Sequence, residues 1–281
     1  MPYAGAADPV SLAIANRLAG QEAEATAFEI SYGPATLRFD AAMQAGVAGA
    51  DAELRLDGIL QPYGQTLSID AGATLEVSAL RAGSRLYLAV SGKLPAQVAF
   101  GSPSTYLPAG LGGHEGRALQ TGDVIGVKDI ASVPILRMPV DLRFAASRSY
   151  ALRAVAGPDW QDGQQAQLGT YTVTQRISRM GAEIEGVLPV LSGQSVRPSS
   201  AVMPGALQVT PSGRGFLLLA DGQTTGGYPH LLQVIRADRH LLGQLRPSDR
   251  LQFLLRSQTE AEAALKAKQK LLETWLPGFR L

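Results

Sequence analysis

Between about residues 26 and 256 the chain is written almost entirely in short apolar or alternating runs. They include "TAFEISY", "ATLRFD", "ATLEVSAL", "SRLYLAVSG", "DVIGV", "VDLRFAA", "YALRAVAG", "GTYTVTQ", "GALQVT", "GFLLLADG" and "DRLQFLLRS", most of them separated by Gly, Pro, Asp or Ser. Alternation with a period of two places one face of a strand on a core, and the interruptions supply turns. Such a pattern limits the chain to a mainly β fold of the sandwich or barrel kind. The 31 Gly and 17 Pro are scattered as punctuation and form no linker. "YPHLLQVIRADRHLLGQL" is the exception, because its periodicity fits a buried strand or a short helix equally well.

Helices are expected at the two ends. In "DPVSLAIANRLAG" the Asp8 carboxylate can accept first-turn N–H groups, Pro9 fits the first helical position, and Gly20 can end the helix. "SQTEAEAALKAKQKLLETWL" is rich in strong helix formers, with Ser257 or Thr259 as cap and Leu265, Leu271, Leu272 and Trp275 as an apolar stripe. That stripe is expected to pack on its own domain.

The β region carries a weak internal echo. "GATLEV", "GSRLYLAVSG" and "TGDVIGV" are followed at similar spacing by "GALQVT", "GRGFLLLADG" and "PSDRLQF". Gly83 and Gly92 precede Gly213 and Gly222 by one shared interval, and Asp123 precedes Asp249 by nearly the same one. Two related β units follow from this, with a boundary near residues 128–135. The expected organisation is a first β-barrel unit with the N-terminal helix (1–130), a second β-barrel unit (131–256) and a helical tail (257–281).

Composition narrows the function. Lys+Arg (25) and Asp+Glu (24) nearly cancel, so bulk charge selects neither nucleic acid nor an anionic membrane. With no Cys, thiolate nucleophiles, disulfides and Cys-ligated zinc are excluded. His114, His230 and His240 do not pair at metal-ligand spacing, so no metal site is expected. The first residues have no signal-peptide pattern, and no apolar run approaches the ~20 residues of a membrane span. A soluble cytoplasmic protein is the expectation.

Generic catalytic motifs are missing: there is no P-loop and no G-x-S-x-G elbow. Three stretches nevertheless combine small residues with polar side chains at strand ends. "FGSPSTYLPAGLGGHEGRAL" sets Ser104, Thr105, His114 and Arg117 on Gly-rich backbone that can approach a ligand oxygen. "SRMG" offers Arg179, which can hold a carboxylate or phosphate two-pronged or form a surface salt bridge. "LLLADGQTTGGYPHLLQVI" puts Asp221, Thr224, Thr225, Gly226, Gly227, Tyr228 and His230 between two apolar runs, as a plain turn or a site loop.

The series "GAADPVSLAIANRLAG", "RLYLAVSG", "FGSPSTY", "GLGGHEGRALQTGD", "SRMG", "PGALQVTPSGRGFLLLADGQTTGGYPHLLQVIRAD" and "GQLRPSD" resembles, in that order, the KipA-like family. It is also known as allophanate hydrolase subunit 2, or the biotin-dependent carboxyltransferase-like family, with the C-type subunit of 5-oxoprolinase as a member. The resemblance implies two cyclophilin-like β-barrel domains. It implies a subunit of an ATP-dependent hydrolase opening 5-oxoproline to glutamate, working with a KipI-like B subunit and a 5-oxoprolinase A subunit. Alternatives are a carboxyltransferase component of a biotin-dependent urea carboxylase or allophanate system, with biotin on a separate carrier, and a non-catalytic regulatory partner of a KipI-like subunit.

On the hydrolase reading, Thr224, Thr225, Gly226, Gly227 and Tyr228 line the site with Ser104 and Thr105. Arg179 and Arg117 hold a carboxylate or phosphate, and Asp221, His230 or His114 is the base. Family members carry an earlier segment resembling "TIQDxGRxG", and this chain starts at "MPYAGAAD", inside the following motif. Where they read "SDRMGxRLxG", this chain has Ser178 for the Asp and Glu183 for the second Arg, and Ser248 replaces a turn Gly.

Overall fold

The computed structural model describes residues 2, 4–145, 147–189, 198–210 and 212–281. They divide into two compact units, one of residues 4–146 with 272–280 and one centred on residues 147–271.

The N-terminal unit starts with α1 (Pro9–Leu18). The Asp8 side chain accepts from Ser11 N at 3.0 Å, Pro9 stands at the helix start, and Gly20 follows at φ +70°, as expected. Eight strands follow: β1 (Phe28–Ser31), β2 (Ala35–Arg38), β3 (Met43–Asp51), β4 (Leu54–Leu56), β5 (Ile59–Gln61), β6 (Leu67–Ile69), β7 (Thr74–Val77) and β8 (Ala82–Val90). They sort into two four-stranded sheets of order β1-β8-β3-β6 and β2-β7-β4-β5.

One apolar core draws on both sheets, with Ala45, Val47, Leu86, Leu88 and Val90 from the first and Leu54, Leu75 and Val77 from the second. The other face of β3 and β8 lies under α1. That explains why β3 is buried on both faces and built of small residues. A Cβ on Gly46 would sit 2.5 Å from Leu18 Cβ, so the helix rests on backbone.

The C-terminal unit contains β9 (Ser149–Ala156), β10 (Thr170–Ile177), β11 (Gly181–Glu185), β12 (Ser200–Ala201), β13 (Ala206–Val209), β14 (Gly215–Leu218), β15 (Thr225–Gly226), β16 (His230–Val234), α2 (Arg239–Leu242) and β17 (Arg250–Leu255). Seven of these strands close into a barrel of order β10-β11-β14-β13-β16-β9-β17. Closure depends on β17, which pairs antiparallel with β10 and parallel with β9. The ambiguous stretch after Tyr228 resolves into strand β16, a 3₁₀ turn and the short α2. The barrel core is filled by residues such as Leu152, Tyr171, Ile184, Leu207, Leu217, Leu232 and Leu251.

The expectation of two cyclophilin-like barrels is corrected here: among the described residues one barrel closes, and the N-terminal strands remain two open sheets. The reason is visible between β8 and β9. "DVIGV" lies outside every strand with Val124 83% exposed, and Val140–Leu142 forms a 3₁₀ turn where a strand was expected. Among the described residues the chain there makes only isolated bridges and supplies no strand to close the first unit. The C-terminal helix α3 (Gln258–Glu273) begins with a reciprocal cap, Glu260 N donating to Ser257 Oγ and Ser257 N to the Glu260 carboxylate. Of its expected apolar stripe, Leu272 is fully buried and Leu271 is exposed.

Candidate functional site

Two of the three polar stretches meet in the barrel unit. The "SRMG" turn between β10 and β11 lies against the turn after β14: Leu219 N donates to Met180 O and Asp221 N to Arg179 O. The side chains complete the join. Arg179 Nε and Nη2 donate to the two Asp221 oxygens at 2.7 and 2.8 Å, and Asp221 is 1% exposed. A carboxylate held two-pronged by a guanidinium is fixed in position. This pair ties the base of the Thr-Gly loop to a neighbouring turn.

From that base the loop runs outward. Val202 N donates to Thr224 O, and β15 pairs with β12, Thr225 opposite Ala201 and Gly226 opposite Ser200. The Thr224 and Thr225 side chains are exposed, and neither hydroxyl has a hydrogen-bond partner among the described residues. Gly226 is required by a close approach, since a Cβ there would lie 2.6 Å from Gln208 Nε2.

Gln208 is the organising side chain that sequence reasoning missed. It is fully buried on β13, donates to Tyr228 O at 3.2 Å and accepts from Gln223 Nε2 at 3.1 Å. The only sequence signal for it was a polar residue inside the apolar run "ALQV". Tyr228 itself is 43% exposed.

His230 opens β16 where the loop re-enters the barrel. Its backbone N–H donates to Asp159 Oδ2 at 2.7 Å, and its Nε2 lies 3.0 Å from Leu232 O. A carbonyl can only accept, so Nε2 carries the proton and Nδ1 holds the lone pair. Burial pushes the imidazole pKa below its usual value, which keeps the ring neutral at neutral pH.

The third stretch lies in the N-terminal unit and makes a cluster of its own. Arg117 clamps Asp123 with bonds of 2.7 and 2.9 Å and also reaches Glu115 at 3.0 Å. That clamp, with the Gln120 N–H, holds the Asp123 carboxyl far below the usual carboxylate range. His114 Nε2 lies 3.8 Å from Asp123 and 3.4 Å from Arg117. The Gly-rich backbone folds onto the Ser-Thr segment: Gly113 N donates to Pro103 O and Gln97 O, and a Cβ on Gly113 would overlap Thr105. Ser104 Oγ accepts from Gly5 N at 3.1 Å. The candidate residues thus form two groups: Arg179, Asp221, Thr224, Thr225, Gly226, Gly227, Tyr228 and His230 on the barrel unit, and Ser104, Thr105, His114 and Arg117 on the sheet unit.

This geometry belongs to a chain whose residues 1–255 match the model for the carboxyltransferase domain, subdomain A and B. The chain belongs to this family. It is 32% identical over 272 residues to the C-type subunit of 5-oxoprolinase from Escherichia coli (strain K12), covering 95% of this chain and 86% of that protein. It superposes on the crystal structure of TTHA0988 with a TM-score of 0.81 and 33% identity over 90% of its length, spanning about half (50%) of that longer chain. The K. lactis urea amidolyase structure shares the fold, with a TM-score of 0.90 at 22% identity over the whole of this chain and 18% of the larger one.

Two departures from the carboxyltransferase-family pattern now have a physical setting. Glu183, where the resemblance implies an Arg, bonds Arg214 at 2.9 Å and Thr174 Oγ1 at 3.0 Å, with Arg176 at 3.8 Å. Its charge is met on the barrel wall, and Arg214 holds its carboxyl below the ordinary range. Ser248 adopts φ +69°, the left-handed backbone a Gly would favour. Among the described residues no group of acidic or His side chains could hold a metal, and no helix is long and apolar enough to cross a membrane.

Proposed function

We propose that the chain is the C-type subunit of an ATP-dependent 5-oxoprolinase, opening 5-oxoproline to glutamate with ATP hydrolysis. The observation that carries this reading is the 32% identity to the Escherichia coli protein across nearly the full length of both chains. The chemistry has definite needs. A lactam carbonyl is a poor electrophile, and phosphorylation of its oxygen activates it for water. The site then requires donors for anionic oxygens and a base for the water. The unpartnered Thr224 and Thr225 hydroxyls and the Gly226–Gly227 backbone suit the first need, with Tyr228 at the rim. Neutral His230, with its Nδ1 lone pair, suits the second.

In this reading Asp221 and Arg179 position the loop. His114, Arg117, Ser104 and Thr105 form a polar group of their own on the sheet unit. ATP binds a site shared with partner subunits, a KipI-like B subunit and a 5-oxoprolinase A subunit, in the cytoplasm. The family model and the urea amidolyase fold support a second reading, carboxyl transfer from biotin on a separate carrier.

Co-expression with the A- and B-type subunits should give ATP-dependent glutamate release from 5-oxoproline. Thr225→Val should lower turnover about 100-fold if its hydroxyl stabilises the developing oxyanion. No release from the assembled complex defeats the proposal, and biotin-dependent urea carboxylation would put the second reading in its place.

A further inference from the structure

In the sheet unit, the segment after β8 returns across the strands as a strap. Val133 N and O bond the Gln44 side chain at 2.6 Å each, Leu136 N donates to Thr66 Oγ1 at 3.0 Å, and Met138 N donates to Gly64 O at 2.7 Å. The turn Val140–Leu142 then reverses the strap and lays the Arg143 guanidinium 5.3 Å from the centre of the Tyr63 ring. This is a cation–π contact.

Beneath the ring, β3 carries a bulge. Its register with β8 shifts between Gly49 and Asp51, and Gly49 sits at φ +115°, with its Cβ position blocked by Arg85 O at 2.5 Å. The Tyr63 hydroxyl shares its proton between Gly49 O (2.9 Å) and Ala50 O (3.2 Å). Bulges of this kind re-aim side chains and recur beside binding sites.

Between these parts lies a cavity of about 210 Å³ lined by Gly49, Asp51, Tyr63, Arg143 and Phe144. At ~30 Å³ per water this is room for about seven waters, or a ligand of similar size. Its two charged walls differ in state. Asp51 receives Arg81 on both oxygens, at 3.0 and 3.2 Å, and each oxygen still has a lone pair to offer. Arg143 has no carboxylate partner among the described residues. The contact with Tyr63 occupies none of the guanidinium N–H donors with a carboxylate, so they are available to a ligand.

We propose that this cavity binds a small acid bearing an N–H donor beside its carboxylate, either an amino acid or a lactam acid. Arg143 grips the carboxylate two-pronged, Asp51 accepts the N–H, and the Tyr63 and Phe144 rings enclose the carbon frame. The cavity is lined by sheet-unit residues alone, and its test does not depend on catalytic turnover.

Calorimetric titration of the purified full chain with 5-oxo-L-proline, L-proline, acetate and 2-pyrrolidinone decides the matter. A lactam acid site binds 5-oxo-L-proline best, and an amino acid site binds L-proline best. Either should exceed acetate, which lacks the N–H, and pyrrolidinone, which lacks the carboxylate, by tenfold or more. Arg143 is solvent-exposed, so Arg143→Gln should melt with the wild type yet lose at least tenfold in affinity. Saturation equal in Arg143→Gln, equal affinity for acetate, or no saturable binding of either acid would overturn the proposal.

Discussion

The two β units use the same strand grammar and reach different ends. The C-terminal strands close on themselves through the parallel β9–β17 pair, and the N-terminal strands stay as two sheets with α1 laid over β3 and β8. The difference also shows in what holds each unit. The barrel buries three aspartates, Asp221, Asp238 and Asp249, and each is gripped by an arginine (Arg179, Arg153 and Arg148). Closing a sheet fixes the strands but leaves the connecting turns to be pinned, and charge pairs do that. The sheet unit has a largely buried pair of its own, Arg85 with Glu29 at 3.2 Å, but among the described residues it does not bury carboxylates under arginines at its connecting turns in the same number. It depends on close approach, with helix backbone against Gly46.

The first way to break this comparison is to remove a pinning charge. Arg179→Met leaves Asp221 buried without its cation and should cost about 3 kcal/mol or more. Hydrogen exchange followed along the chain should show the loss on β11, β14 and the Thr-Gly loop, with sheet-unit amides protected as before. A loss below about 1 kcal/mol, the value of an exposed pair, would mean that the turn is held by its backbone bonds alone.

The reciprocal change is Gly46→Ala. Its methyl has no room between β3 and the α1 backbone, so the helix must lift or the strand must bend. Overpacking of this kind costs about 2 kcal/mol. The expected exchange pattern is the mirror image, with α1, β3 and β8 deprotected and the barrel unchanged. A uniform loss over both units would show that close approach is not a property of the sheet unit alone.

These two tests also mark how far the sequence could be read. Asp8, Pro9 and Gly20 announced α1 because caps are local chemistry. The alternating runs announced strands for the same reason. A barrel at 131–256 was expected, but which strands close it was not legible, because closure depends on β9 pairing with β17, two runs far apart in the chain with no local mark of their partnership. "DVIGV" has a strand's composition and no partner strand, so composition misled there. At the site, "SRMG" and "DGQTTGGYP" each stood out, but the ion pair that joins them is a tertiary fact. Gln208 left one local mark, a polar residue in an apolar run, but its bonds to Gln223 and Tyr228, like the Tyr63–Arg143 contact, join residues distant in sequence.

The smallest expected effect sharpens the comparison from the barrel side, at Ser248. This residue sits in the turn entering β17, with its N–H donating to Val173 O at 2.8 Å, and its φ of +69° is set by that turn. Two terms oppose each other in Ser248→Gly. Left-handed backbone costs a non-Gly residue about 1–2 kcal/mol, which Gly recovers. Gly also has more freedom to lose on folding, worth roughly 0.5–1 kcal/mol. The balance favours Gly by about 0.5 kcal/mol, or a rise of about 1–2 °C in melting temperature for a unit of this size. Calorimetry on the two chains measures it. A fall in melting temperature would mean that the Ser side chain offsets its own backbone strain, and that the closing turn of the barrel, like its rim, is held by polar contacts.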